Sequence, residues 1–277
     1  MPELPEAETI RRELEKTVVG RKIVNVEISV PRVLRMPAEE FKRSVDGATI
    51  IGVGRRAKMV IVRLSSGDSP LSLLFHLMIA GSIRYVPVGY PEREKAQVIF
   101  TLDNGYEIRF RDPRKFGYVK LLKGDIGTAP ELSRLGPEPL SGEFTLERFQ
   151  EMLKRRPNAK IKALLLDQSF VAGIGNIYAD EVLFHAGVLP TRQPGSLSRD
   201  EVGRIYEGIR SILTKAIEEH GSSIATYVDI FGNKGNFVSF FKVYGRTGEP
   251  CVNNCPGEIK KTKVAGRGTH ICPVCQK

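Results

Sequence analysis

The sequence predicts an α+β, multidomain chain: an N-terminal β-sandwich with flanking helices, a helical domain, and a small C-terminal unit held by cysteines. Three observations carry this expectation. The first half contains many short apolar runs separated by turn residues, the pattern of a sandwich or barrel. The second half changes to apolar residues three and four apart, the period of helices. All four cysteines, Cys251, Cys255, Cys272 and Cys275, fall in the last 27 residues.

The first element is a helix over residues 5–19, where Ile10, Leu14 and Val18 repeat at helical spacing and Gly20 stops the run. Short β-type runs follow at 23–30, 49–53, 60–64, 71–77, 98–102, 106–111 and 118–122. Asp103-Asn104-Gly105 lies between two of them and has the composition of a hairpin turn. Residues 124–142 are rich in Gly and Pro and read as a connection. Helical runs then occupy 146–155, 161–167, 176–186 and 199–220. The longest of these places Val202, Ile205, Ile209, Ile212, Leu213 and Ile217 on one face. A last β-type run, 237–244, leads into the cysteines. The expected boundaries are therefore a β-sandwich domain over 1–130, a linker over 131–145, a helical domain over 146–231 and a small finger over 232–277.

Charge narrows the class of partner. The chain carries 42 basic and 32 acidic residues, net +10, and basic proteins favour polyanions through phosphate neutralisation. Eight Lys/Arg against two Glu lie between Gly232 and Lys277, so most of the excess is in the tail. The most apolar stretch, 71–80, is interrupted by His76 and is far shorter than the roughly 20 residues of a membrane span. Pro2, Glu3, Pro5, Glu6 and Glu8 open the chain, unlike the basic and then apolar start of a secretory leader. The expectation is a cytoplasmic protein with no membrane partner.

The cysteines are spaced Cys-x3-Cys-x16-Cys-x2-Cys. Two close pairs joined by a loop set four thiolates around one Zn²⁺. Four sulfurs leave no open position, so one structural ion is expected. A disulfide, a redox role for Cys272 and Cys275, or His270 as a competing ligand are weaker alternatives. Between the pairs lie Lys260, Lys261, Lys263 and Gly266-Arg267-Gly268, which reads as a basic hairpin with Arg267 at its tip, facing a phosphate backbone.

Six motifs in order now acquire meaning: Pro2-Glu3-Leu4-Pro5-Glu6, Arg55-Arg56-Ala57-Lys58, Asp112-Pro113-Arg114-Lys115-Phe116-Gly117, Leu135-Gly136-Pro137-Glu138-Pro139, Val171-Ala172-Gly173-Ile174-Gly175-Asn176-Ile177-Tyr178 and Val264-Ala265-Gly266-Arg267-Gly268-Thr269-His270. Together they resemble the formamidopyrimidine-DNA glycosylase family along the whole length. Leu4 is similar to the oxidised-purine branch, whereas the endonuclease VIII branch has Gly there.

The resemblance implies a bifunctional glycosylase and lyase acting, as a monomer, on double-stranded DNA with an oxidised base. It makes Pro2 the nucleophile, Glu3 the acid, and Glu6 part of the same pocket. It gives Lys58 to β-elimination and Arg267 to the lesion's phosphate and the second elimination. The chemistry follows from the residue types. An α-amino group titrates near pH 8 against about 10.4 for lysine, so more of it is neutral at pH 7. A secondary amine attacking the anomeric carbon yields an iminium, an electron sink for strand cleavage. This requires removal of Met1.

The loop 171–178 follows a helix and not a strand, so it reads as a helix–two-turn–helix with Asn176 and Lys160 toward phosphate. An extruded base leaves a gap that needs apolar or guanidinium plugs; by resemblance these are Arg114, Phe116 and, where relatives carry Met, Ile79. Further departures are Met78 for Arg, Lys95 and Gln97 for two histidines, Ala225 for Arg, and one extra residue in the first cysteine pair. Lys95 retains a cation for phosphate. The competing expectations are an oxidised-pyrimidine specificity, a DNA-binding paralogue without catalysis, and a zinc-ribbon RNA-binding protein.

Overall fold

A computed structural model describes residues 2–65 and 70–277. The chain forms two compact units: Met1–Ser133 with Glu219–Asn236, and Arg134–Glu218 with Phe237–Lys277.

Unit 1 begins with helix α1 (Leu4–Val18), which has Glu3 at its N-cap, Pro5 in its first turn and Lys16 in its last, all placed as the helix termini favour. Its buried stripe is Leu4, Ala7, Ile10, Leu14 and Val18. Two four-stranded antiparallel sheets follow. One has the order β2-β3-β4-β8 and the other β1-β6-β7-β5. Their ranges are β1 Ile23–Ile28, β2 Thr49–Arg56, β3 Met59–Ser65, β4 Leu71–His76, β5 Ser82–Pro87, β6 Val98–Leu102, β7 Tyr106–Arg111 and β8 Tyr118–Lys123. Inward residues of both sheets, such as Val60, Val62, Phe75, Phe100 and Phe110, share one core with Ile10 and Leu14 of α1. Phe41, Phe100, Phe75 and Phe110 form a run of ring contacts with centroids 6.0–6.2 Å apart, within the range of favourable tilted pairs.

Three elements were not expected from the sequence: β5, the short helix α2 (Ala38–Val45) and α3 (Pro130–Ser133). Strand β5 reads Ser-Ile-Arg-Tyr-Val-Pro and buries only Ile83 and Val86, too few apolar residues to mark a strand. Helix α2 buries only Phe41 and Val45.

Unit 2 contains α4 (Leu146–Lys154), α5 (Ile161–Leu166), α6 (Asn176–Ala186), α7 (Arg199–Glu218) and the hairpin β9 (Lys260–Val264) and β10 (Arg267–Ile271). Between α5 and α6, Gln168 Oε1 accepts the Gly173 N–H at 2.9 Å, which folds the connection back and makes the helix–two-turn–helix. The hairpin turns through Ala265 (φ 50°) and Gly266 (φ 74°), the two positive values of a type I′ turn. Arg267 pairs with Val264, so it opens β10 beside the turn and is not at the tip as the sequence suggested. The expected strand at 237–244 is also corrected. Phe237–Phe240 is a 3-10 helix, and the N–H groups of Lys242, Val243 and Tyr244 go to the Glu181 carboxylate at 3.0, 3.0 and 2.8 Å. A side chain therefore takes the donors that a neighbouring strand would have taken.

Candidate active site and nucleic-acid interface

The start of unit 1 is a buried polar site. Pro2 is buried, and Glu3 and Glu6 are each 1% exposed. Glu6 Oε2 accepts the Glu3 N–H at 2.7 Å. Its other oxygen accepts the Ser222 N–H at 2.7 Å and the Ser222 hydroxyl at 2.9 Å. One carboxylate, engaged on both oxygens, thus fixes the chain start and joins it to the segment Glu219–Asn236. Gly221 (φ +82°) permits this approach, since an added Cβ would meet Glu6 Cγ and Oε1 at 2.9 Å. Tyr227, in the same segment, donates to His220 O at 3.1 Å; burial, then Glu6, pushes its phenol well above the usual range. Met1 lies outside the described residues, and with it the expectation of its removal.

Lys58 stands in the tight β2–β3 connection, where Arg56 pairs with Met59 and Ala57 has φ 52°. Arg55 holds that turn, donating Nη1 to Ala57 O at 2.8 Å and Nε to Glu8 Oε2 at 3.0 Å. Glu8 belongs to α1, so the hairpin carrying Lys58 is clamped to the helix that begins with Pro2 and Glu3. A functional candidate absent from the sequence reading is His76. It pairs across the sheet with Met59, beside Lys58, and its Nδ1 accepts the Met78 N–H at 3.0 Å. Burial, then Lys58 and Arg35, pushes its pKa down to about 4. The ring is therefore neutral at pH 7 with its proton on Nε2. Its place in the His76-Leu77 run beside the wedge was the available sequence signal.

The three expected plugs are all in solvent. Ile79 is 37% and Phe116 51% exposed, and the Arg114 guanidinium lies 5.4 Å from the Phe116 ring centroid. The loop that carries Arg114 and Phe116 is organised by Asp112, which is fully buried. Its carboxylate accepts N–H groups from Arg114, Phe116 and Gly117 at 3.0, 2.9 and 2.6 Å. Gln97 is turned inward and supports the same loop. Its Oε1 accepts the Asp112 N–H and its Nε2 donates to Lys95 O. Lys95 is exposed, with its ammonium against Glu92. Sequence alone gave no reason to connect Gln97 with Asp112.

In unit 2 the loop, the helices and the hairpin converge. Asn176, the first residue of α6, donates Nδ2 to Gly268 O at 2.9 Å, next to the exposed Arg267. That amide nitrogen carries a second hydrogen. Lys160 is the exposed N-cap of α5. Beneath them lies a pair that sequence reading missed: Lys162 and Asp180, both wholly buried. Lys162 Nζ is 2.6 Å from Asp180 Oδ1 and 2.7 Å from Thr269 Oγ1. Asp180 Oδ2 accepts the His270 N–H at 2.8 Å and lies 3.1 Å from His270 Nδ1. The pair thus anchors β10, the strand that begins with Arg267, and occupies the histidine that could have competed for metal.

The Sγ atoms of Cys251, Cys255, Cys272 and Cys275 all lie within 4.8 Å of one another. Cys251–Cys275 and Cys255–Cys272 are each 3.6 Å apart. Zn–S bonds of about 2.3 Å in a tetrahedron need sulfurs roughly 3.8 Å apart, so the donor set fits one structural zinc. The first knuckle is tight: a Cβ on Gly257 would meet Cys272 Sγ at 2.8 Å, and Gly257 N–H donates to Cys255 Sγ at 3.3 Å.

Similarity to known proteins follows the same division. Residues 1–119 match the formamidopyrimidine-DNA glycosylase N-terminal domain, 135–228 its H2TH domain, and 248–277 the zinc finger found in FPG and IleRS. A formamidopyrimidine-DNA glycosylase of Pelotomaculum thermopropionicum is 42% identical over 100% of this chain and 99% of its own. One from Streptococcus pneumoniae is 41% identical over 100% and 99%. The Lactococcus lactis Fpg bound to DNA containing an abasic site superposes with a TM-score of 0.90, at 40% identity and 99% coverage of both chains. A variant of that protein bound to Fapy-dG DNA gives a TM-score of 0.90 at 41% identity, covering 100% of both. Among the described residues no helix is long and apolar enough to cross a membrane.

Proposed function

The chain belongs to the formamidopyrimidine-DNA glycosylase family, and as a DNA glycosylase and AP lyase of base excision repair, we propose, it works through the secondary amine of Pro2. The amine nitrogen attacks C1′ of the damaged nucleotide as the N-glycosidic bond breaks and the base leaves with a proton. Glu3 protonates the sugar ring oxygen, opening the ring, and the product is an iminium on Pro2. The iminium withdraws electrons from C2′, a proton is lost there, and the 3′ phosphate departs. A second elimination releases the 5′ phosphate, after which hydrolysis frees the amine. Lys58 assists the first elimination and Arg267 the second.

The observation that best supports this reading is the double engagement of Glu6, which joins Glu3 and Ser222 in one buried polar site beside the buried Pro2. Two buried carboxylates at 1% exposure, one of them engaged on both oxygens, form the kind of preorganised polar site that catalysis needs. The positive end of α1 also disfavours a second positive charge at its start, and so favours the neutral amine that the attack needs. For the strand itself, Lys58, the neutral Nε2–H of His76, Asn176, Lys160 and Arg267 are phosphate donors. Lys95 would exchange Glu92 for phosphate. Ile79, Arg114 and Phe116 fill the gap left by the extruded base, and Glu6 borders the pocket that receives it.

Borohydride trapping of the Met1-processed protein on a duplex with 8-oxoguanine opposite cytosine tests the proposal. The expected adduct maps to Pro2 and disappears in Pro2→Gly. Trapping undiminished by that change would assign the nucleophile elsewhere. Trapping on an oxidised-pyrimidine duplex, with none on 8-oxoguanine, would instead overturn the purine preference.

A further inference from the structure

Unit 2 holds a concavity whose lining includes no residue given a catalytic, DNA-binding or metal-ligating role above, though it borders the zinc ligand Cys251. It is formed by α6, α7, the 3-10 turn Phe237–Phe240 and the chain just after Cys251, and its volume is about 440 Å³, within the roughly 300–1,000 Å³ of ligand pockets. Its walls are Phe184, Ile212, Phe237, Phe240 and Val252. The Phe237 and Phe240 rings are stacked, 5.9 Å and 14° apart, and Phe240 is 36% exposed.

The rim is cationic. Lys215 Nζ lies 5.0 Å from the Phe240 centroid, and the exposed Lys242 borders the same opening. The one carboxylate in the lining, Glu181, is buried and accepts three backbone N–H groups, so its oxygens are committed to the protein. Lys215 is also 3.7 Å from Glu218, a solvated pair that an incoming carboxylate displaces at little cost.

We propose that this pocket docks a segment of a partner protein in which a phenylalanine is accompanied by carboxylates. The phenyl ring enters against Phe237, Phe240 and Phe184, and the acidic groups meet Lys215 and Lys242. Aromatic anchors in an apolar pocket supply most of the affinity of such contacts, and complementary rim charges supply specificity and association rate. A nucleobase suits the pocket less well. Its donors and acceptors would be desolvated against five apolar walls, with only His185, Ser211 and Asn253 besides the two lysines and the committed Glu181 to meet them.

The test is fluorescence anisotropy with a labelled peptide of aspartates ending in leucine and phenylalanine. The zinc-loaded full chain is used, saturated with an abasic-site duplex so that the DNA-binding surface is occupied. The expected result is micromolar binding that weakens about tenfold in Lys242→Glu and in Phe240→Ser, two exposed positions. Replacing the peptide's phenylalanine by alanine, or its aspartates by asparagines, should weaken it comparably, and lesion cleavage should be unchanged in both variants. Absence of binding, or binding indifferent to both variants, overturns the proposal. So does tighter binding of a single-stranded oligothymidylate that displaces the peptide, which makes the pocket a nucleic-acid subsite. Self-association abolished by Phe240→Ser would make the occupant a second copy and overturn it equally.

Discussion

A histidine beside two cations has a strong reason to remain neutral, and His76 shows how that choice reaches stability. Its pKa falls from 6.5 to about 4 on folding, through burial and then Lys58 and Arg35. Between those values the unfolded chain binds a proton that the folded chain refuses. The contribution is therefore complete above pH 6.5 and is lost as the pH falls toward 4. A shift from 6.5 to about 4 corresponds to roughly 3 kcal/mol. His76→Asn keeps an acceptor for the Met78 N–H but does not titrate. Urea unfolding at pH 7 and pH 4.5 should show a smaller acid loss in the variant than in the parent; equal losses would mean that His76 does not carry this term.

At the scale of elements, the wedge loop is the clearest case of a segment fixed by side chains and not by a ladder. Gln97→Leu removes the acceptor of the buried Asp112 N–H, a change that costs about 1–3 kcal/mol. The loss is local to the loop that presents Arg114 and Phe116. Slower extrusion is expected, read as a delayed 2-aminopurine fluorescence rise beside the lesion, with the purified variant still folded. Gln97→His, which offers an acceptor nitrogen, should restore much of the rate. Unchanged extrusion in Gln97→Leu would separate this hydrogen bond from the wedge.

The same loop shows what sequence reading reaches and where it ends. Strands β6 and β7 and helix α6 were legible to the residue because turn residues bound them, Asp103-Asn104-Gly105 between the strands and Gly175 and Gly187 at the ends of the helix. The four cysteines were legible because metal geometry constrains spacing along the chain. Strand β5 and helix α2 were not, because each buries only two apolar residues. Nor were Gln97–Asp112, Lys162–Asp180 or Glu181 with Lys242–Tyr244. Their partners lie 15, 18 and 61–63 positions apart, and no local pattern records which buried polar group will meet which. The 237–244 run had strand composition, but Glu181 took its donors.

For the whole molecule, the zinc site and most of the excess positive charge lie in the same C-terminal tail. Thr269 and His270 lie on β10, directly before Cys272, and are the partners of Lys162 and Asp180. Chelation should therefore loosen α5 and α6 as well as the finger, since the buried pair would lose its outer partners. Hydrogen exchange should lose protection across 248–277 and α5–α6, while β2, β3, β4 and β8 of unit 1 keep theirs. Loss confined to the finger would show that the pair holds without β10. DNA affinity should fall with chelation and, given the net charge of +10, fall steeply with salt.

The path of the chain has one more consequence. Unit 1 takes its last segment, Glu219–Asn236, after most of unit 2 has already been passed, and Glu6 finds Ser222 across 216 positions. During synthesis Glu6 must wait for 216 further residues before its second oxygen is engaged. The helices of unit 2 likewise precede the cysteines that complete it. Neither unit closes early, since Ser222 completes the buried site of unit 1 and the cysteines complete unit 2. A product truncated before Ser222 thus lacks the second anchor of the Glu6 carboxylate, however intact its first hundred residues are.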